Sequence, residues 1–162
     1  EFGEMQNIDP RIVASLYAAD RLEQIEEINK LRDKHDVLIC DRGVTSNLIY
    51  TPARGDKKSD VAALEKFVEV LEYDINGFPK ESLVIFLDAS AEARHKIHAA
   101  KNRLPDLHEA DDRYLRQVHE VALDRCKRDF RWSKIAVDRG GDLRRRDEIG
   151  EEILLIVLEK LQ

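Results

Sequence analysis

An open parallel α/β sheet is the fold class this sequence predicts, and three observations carry that reading. VLICD (37–41), LVIFLD (83–88) and KIAVD (134–138) are nearly continuous in aliphatic and β-branched residues, as strands covered on both faces are. Each of the three runs ends on an aspartate. Between and around them lie segments with apolar residues at helical spacing, and strand–helix alternation implies a parallel sheet with flanking helices. The length, 162 residues, is that of one ordinary domain, so residues 1–162 are taken as a single domain.

The elements follow in order. A first helix is expected from about Pro10 to His35, with Ile12, Leu16, Ala19, Leu22, Ile25, Ile28 and Leu31 at three-to-four spacing. VLICD follows as the first strand, and a turn of small polar residues comes behind it. DVAALEKFVEVLEYDI (60–75) reads as the second helix, with Ser59 and Asp60 as candidate caps. LVIFLD is the second strand, and a helix over about 90–100 comes next. A further helix runs from Asp111 to about Phe130, KIAVD is the third strand, and RDEIGEEILLIVLEKL closes the chain.

Composition narrows the function. Apolar residues make up 43% and charged residues 37%, which suits a soluble protein rich in amphipathic helix. A net charge of −6 argues against a general nucleic-acid surface. No run approaches the ~20 apolar residues that cross a bilayer, and no cleavable signal precedes the first helix, so no membrane partner is expected. Cys40 and Cys126 are far apart and match no metal spacing, which suggests a reducing, cytoplasmic setting.

Ligands of such sheets gather beyond the carboxyl ends of the strands, where Asp41 and Arg42 stand. Taken alone, the two charges could simply pair or cap the next helix. Upstream, YAADR (17–21) places Tyr17 and Arg21 four apart, so an aromatic ring and a cation share a helix face. Taken alone, Tyr17 reads as core and Arg21 as a solvated charge. Together with DRGVTSNLIYT (41–51), they resemble the thymidylate kinase family, whose members phosphorylate dTMP with ATP. That family has an aromatic and an arginine four apart, an Asp-Arg strand end, a small-residue turn with serine, and another aromatic. The corresponding residues here are Tyr17, Arg21, Asp41, Arg42, Ser46 and Tyr50. EFG (1–3) and DLHEADDRYL (106–115) are similar to one bacterial branch. Two positions depart from the pattern: Gly43 stands where an aromatic is usual, and Thr51 where bacterial members commonly have glutamine.

The resemblance implies a P-loop kinase-like sheet and a role for each residue. Tyr17 would stack on the base, and Arg21 would hydrogen-bond the thymine edge. Arg42 would grip the monophosphate with its planar fork, which suits phosphate better than a lysine does. Asp41 would position the water shell of Mg²⁺ or the acceptor phosphate. Ser46 and Asn47 would hydrogen-bond phosphate or sugar, and Tyr50 would close over the nucleoside. The region from about 94 to 110 would be a lid, with Arg94, Lys101 and Arg103 brought to the transferring phosphoryl group. Asp41, Arg42 and Arg94 would be the catalytic set, with ATP as co-substrate and a homodimer as the assembly. VDRGGDLRRRDEI (137–149) would border the adenine, Gly140 and Gly141 permitting close backbone approach. The alternative there is a simple turn, with Arg144 to Arg146 in solvent. His95, His98, His108 and Glu109 straddle a Pro-containing loop and contain no HExxH, so a zinc site is not expected.

One expected motif is missing. Residues 1–162 contain no G-x-x-x-x-G-K-[ST] string, and GDKKS (55–59) has the wrong spacing. The resemblance therefore implies a sheet missing its first two strands, including the central P-loop strand. It implies a chain inactive by itself that retains part of the dTMP pocket. Alternatives are a P-loop-less nucleotide-binding homologue, or an α/β interaction module without catalysis.

Overall fold

In the computed structural model of the chain, residues 8–100 and 111–161 are described. They fall into two compact units, one ending at Lys80 and the other beginning at Glu81.

The first unit is helical. Helix α1 (Pro10–Leu22) starts where Asp9 accepts the amide of Arg11 at 2.9 Å, with Pro10 at the first helical position. The single helix expected to His35 is broken at Glu23–Gln24. There the amide of Gln24 bonds back only three residues, to the Arg21 carbonyl at 2.9 Å, and Gln24 sits at φ −101°, ψ 0°. Helix α2 (Ile25–Lys34) then starts afresh. The break divides the apolar stripe. On α1 the buried residues are Ala14 and Ala18, whereas Ile12 and Leu16 are exposed; on α2, Ile25 and Ile28 pack against the core.

VLICD is not a strand. A strand exists only when neighbouring backbone takes its N–H and C=O groups, and no described residue pairs with 37–41. Val37 and Ile39 are accordingly exposed. The polar turn behind it is instead a short helix, α3 (Val44–Tyr50), followed by a 3₁₀ turn over Pro52–Arg54. Gly55 lets that turn lie against the start of the next helix, because a Cβ there would stand 2.7 Å from the Val61 nitrogen. Helix α4 (Lys58–Glu69) starts two residues before the expected Asp60, whose carboxylate accepts the amide of Lys57 at 3.2 Å. It widens into a π-type segment, Val70–Ile75. Ala14, Val44, Leu48, Val68 and Phe78 form the core, and the small alanines of α1 let α3 and α4 approach closely.

The second unit holds the parallel sheet. Strand β1 (Val84–Asp88) pairs in parallel with β2 (Trp132–Ala136), from Val84 opposite Trp132 to Asp88 opposite Ala136. Helices α5 (Ala91–Ala100) and α6 (Asp112–Arg128) lie in the connection, as a parallel crossover requires. The third run expected at 134–138 begins pairing two residues earlier and ends at Ala136, with Trp132 and Ile135 as its inward residues. A hairpin of β3 (Asp138–Arg139) and β4 (Asp142–Leu143) follows, then α7 (Arg146–Lys160). Val118, Ala122 and Arg125, spaced by four and three, are the buried face of α6, which packs on both strands.

Candidate functional site

The three aspartates that end the apolar runs have different local fates. Asp88 receives His119 Nε2 at 2.5 Å and Lys134 Nζ at 3.2 Å. Burial alone would raise its pKa, but the hydrogen bonds from His119 and Lys134 outweigh that and hold it below the ordinary carboxylate range. Asp138 accepts the amides of Ser90 at 2.8 Å and Gly141 at 2.9 Å. Those two amides, that of Ser90 first, lower its pKa. Asp41 is exposed and makes no hydrogen bond or ion pair with a described residue.

Beside Asp41, Arg42 is exposed and holds a positive φ of 69°, a conformation that costs a non-glycine residue energy. Its guanidinium lies over the Tyr50 ring, 5.8 Å from the centroid. The extended Gly43 then leads into α3, where Ser46 is half-buried and its amide bonds the Gly43 carbonyl at 3.1 Å. Asn47 and Tyr50, three apart on α3, are neighbours along one side of that helix.

On α1, Tyr17 is half exposed and Arg21 lies one turn further on. Arg21 pairs with Glu72 of the π-type segment. Its Nε donates to Oε2 at 3.3 Å, and its Nη2 donates to Oε1. Glu72 has no exposed side-chain surface, and that of Arg21 is 18% exposed. Asn47, itself buried, donates from Nδ2 to Glu72 Oε1 at 2.8 Å and to the Ala14 carbonyl at 3.1 Å. Its Oδ1 accepts the Thr51 hydroxyl at 2.7 Å. Both amide hydrogens of Asn47 are thus engaged inside the protein.

Sequence reasoning missed Glu72. The signal was present: Leu64, Val68 and Glu72 are four apart on the buried line of one helix. A carboxylate in such a line requires a cation or several donors.

The glycines of the β3–β4 hairpin have φ of 60° and 84° at Gly140 and Gly141, which a two-residue turn of this kind demands. A Cβ on Gly141 would come within 3.2 Å of the Glu92 side chain on α5. Lys96 of α5 donates to the Gly141 carbonyl at 2.7 Å, tying hairpin and helix together. Arg144 is not in solvent: it donates to the Ala136 carbonyl at 2.6 Å and to Glu152 at 2.7 Å. Arg94 donates from Nη1 to the Ala89 carbonyl at 3.0 Å, while Lys101, Arg103, His108, Glu109 and EFG (1–3) lie outside the described residues. A cavity of about 550 Å³ in the first unit, bordered by Asp9, Arg54, Asp60 and Phe67, is lined by none of the residues given a substrate, ATP or metal role from sequence.

A profile of the thymidylate kinase family matches residues 2–140. The chain belongs to that family. It is 29% identical over 118 residues to a probable thymidylate kinase of Methanococcus vannielii, a match covering 72% of this chain and 54% of the relative. With a probable thymidylate kinase of Pyrobaculum calidifontis it is 31% identical over 121 residues, 74% of this chain and 56% of that one. With the thymidylate kinase of Mycobacterium tuberculosis the figures are 28% over 133 residues, 78% and 62%. The chain thus spans about half the length of the curated relatives it matches. Membership in the thymidylate kinase family makes an unrelated α/β module untenable. No helix among the described residues is long and apolar enough to cross a membrane.

Proposed function

We propose that this chain carries the acceptor site of an enzyme that transfers the γ-phosphoryl group of ATP to dTMP, giving dTDP. One observation supports the reading most: the Asp41–Arg42 pair. Asp88 and Asp138 are consumed by local structure, whereas Asp41 is unpaired among the described residues, beside an Arg42 in a costly backbone conformation over Tyr50. Such strain persists where a function needs it.

Arg42 then holds the monophosphate of dTMP by two parallel N–H bonds. Tyr50 closes over the nucleoside, and Ser46 offers a hydroxyl to the phosphate. Tyr17 supplies a face for the base, and Arg21 reads its edge. Phosphoryl transfer is chiefly alignment and charge neutralisation, so the work of these residues is to fix the acceptor oxygen and lower repulsion between two anions. Arg94, Lys101 and Arg103 bring further positive charge from the lid, and Gly140 and Gly141 border the adenine. The described residues form no cluster of three or more ligating side chains. The exposed oxygens of Asp41 fit a Mg²⁺ held mostly by water and phosphate, which supplies charge neutralisation when bound. Residues 1–162 belong to one kinase-like domain, and the whole enzyme is a cytoplasmic homodimer that binds neither nucleic acid nor membrane.

Isothermal calorimetry with dTMP tests the acceptor site on this chain. Arg42→Ala should weaken dTMP binding by more than ~1.5 kcal/mol without changing the thermal midpoint. Equal affinities in the two proteins would remove Arg42 from the phosphate site, and no heat with the parent chain would end the reading.

A further inference from the structure

Arg21, placed at the base edge, needs something to aim it. Arginine is a long side chain with many rotamers, and one that must discriminate between base edges needs a fixed fork. We propose that Glu72 is the positioning residue that makes Arg21 selective for a pyrimidine carrying a carbonyl at C4; this rests on the dTMP reading of the same site.

The geometry supplies three parts of the case. Glu72 engages Arg21 along one edge, Nε to Oε2 and Nη2 to Oε1, so the plane of the guanidinium is set by the carboxylate. Oε1 also accepts Asn47 Nδ2 at 2.8 Å, so the carboxylate is held from α3 as well. The Glu72 side chain is fully buried, whereas the Arg21 side chain as a whole retains 18% of its surface. The remaining nitrogen, Nη1, makes no hydrogen bond with a described residue. The fork therefore shows only N–H donors outward, because a guanidinium has no acceptor.

The chemistry of selection follows. A thymine or uracil presents an O4 acceptor to those donors, whereas a cytosine presents an N4 amino group, donor against donor. Leaving a buried or half-buried donor unpaired costs more than a good bond gains, so discrimination comes mainly from rejecting cytosine. The site on the main chain fits this role. Glu72 lies in the π-type segment Val70–Ile75, an irregularity that helices often keep where a side chain must be re-aimed. Asn47, with both amide hydrogens engaged internally, holds the carboxylate and leaves the reading to Arg21.

The test compares dTMP and dCMP binding by calorimetry in the parent chain and in Glu72→Gln, which keeps the shape and removes the charge. The parent chain should prefer dTMP. In Glu72→Gln that preference should fall by about tenfold, through loss of dTMP affinity with dCMP nearly unchanged. Retention of the preference, or equal losses for both nucleotides, would overturn the role of Glu72 while leaving the dTMP reading intact. A parent chain that binds neither nucleotide would sink the dTMP reading itself. Should Glu72→Gln fail to fold, the parent chain still decides by ¹⁵N NMR of its arginine side chains. The Arg21 Nε–H should already be protected without ligand and keep its shift on dTMP addition. An Nε–H signal that becomes protected only with dTMP would overturn the proposal.

Discussion

The two units of this chain differ in the charge they enclose: among the described residues, only the first fully buries a carboxylate. In the unit ending at Lys80, the fully enclosed side chains include the carboxylate of Glu72, tied to Arg21 and Asn47 from two other helices. In the unit beginning at Glu81, the deepest positions are Ala93, Ala122 and Ile135; the buried charge there is Arg125, 3.8 Å from an Asp129 that keeps some exposure, and the Asp88–His119–Lys134 cluster lies nearer the surface. A buried ion pair seldom stabilises a fold more than apolar packing of equal volume would. Its presence in the first unit points to a demand other than stability. The same unit contains the strained Arg42 and the exposed run around Ile39. The second unit spends its interior on a parallel strand pair and the packing of α6 against it.

The largest expected effect bears on the first unit. Glu72→Leu matches the volume but strands the Arg21 guanidinium and the Asn47 amide. It should cost about 3 kcal/mol in urea unfolding, read by hydrogen exchange of amides in α1, α3 and α4. An unchanged or higher stability would show the carboxylate to be dispensable to packing and would leave only its aiming role. The counterpart in the second unit is Ile135→Ala, at a position with no exposed surface. A loss of about 2–4 kcal/mol is expected from a large-to-small change. Trp132, the only tryptophan and nearly buried, reports that unfolding by fluorescence. A loss well under that range would mean that the strand pair is not the centre of its unit.

The smallest effect is a pH dependence read in the second unit. The pKa of Asp88 is lowered in the fold, so its contribution is fully present above the ordinary value of 3.8 and is lost as pH falls through the lower folded value. Acidification from neutral pH to below 4 should therefore weaken the fold as seen by Trp132, and Asp88→Asn should flatten part of that slope. An identical slope in Asp88→Asn would assign the acid sensitivity to other carboxylates.

Helix existence was legible from periodicity, because an amphipathic stripe is a local property. Helices α5, α6 and α7 lie within about two residues of their expected bounds, and α4 does so once the π-type segment Val70–Ile75 is counted with it. The long first helix was misread for a related reason. Its apolar residues keep their spacing across Glu23–Gln24, yet spacing alone does not reveal that the backbone bond at Gln24 reaches back only three residues. VLICD was misread because a strand is a relation between segments: the run has the composition, and no described segment supplies the pairing. At the site, Tyr17, Arg21, Asp41, Arg42, Ser46 and Tyr50 were legible as residue types in a family pattern. Asn47 was named without its burial, and Glu72 was passed over as one more charge in a helix.

What the amino-acid order determined by itself was family membership, the helical stripes, and the placing of an aspartate and an arginine behind an apolar run. Each is a property of neighbours in the chain, fixed by spacing and side-chain type. Which of the three aspartates remained unpaired among the described residues, and which carboxylate met Arg21, were decided only when distant segments packed together. Glu72 lies 51 positions from Arg21 and 25 from Asn47. A charge that far along the chain acquires its meaning from the burial that forces it to find a partner.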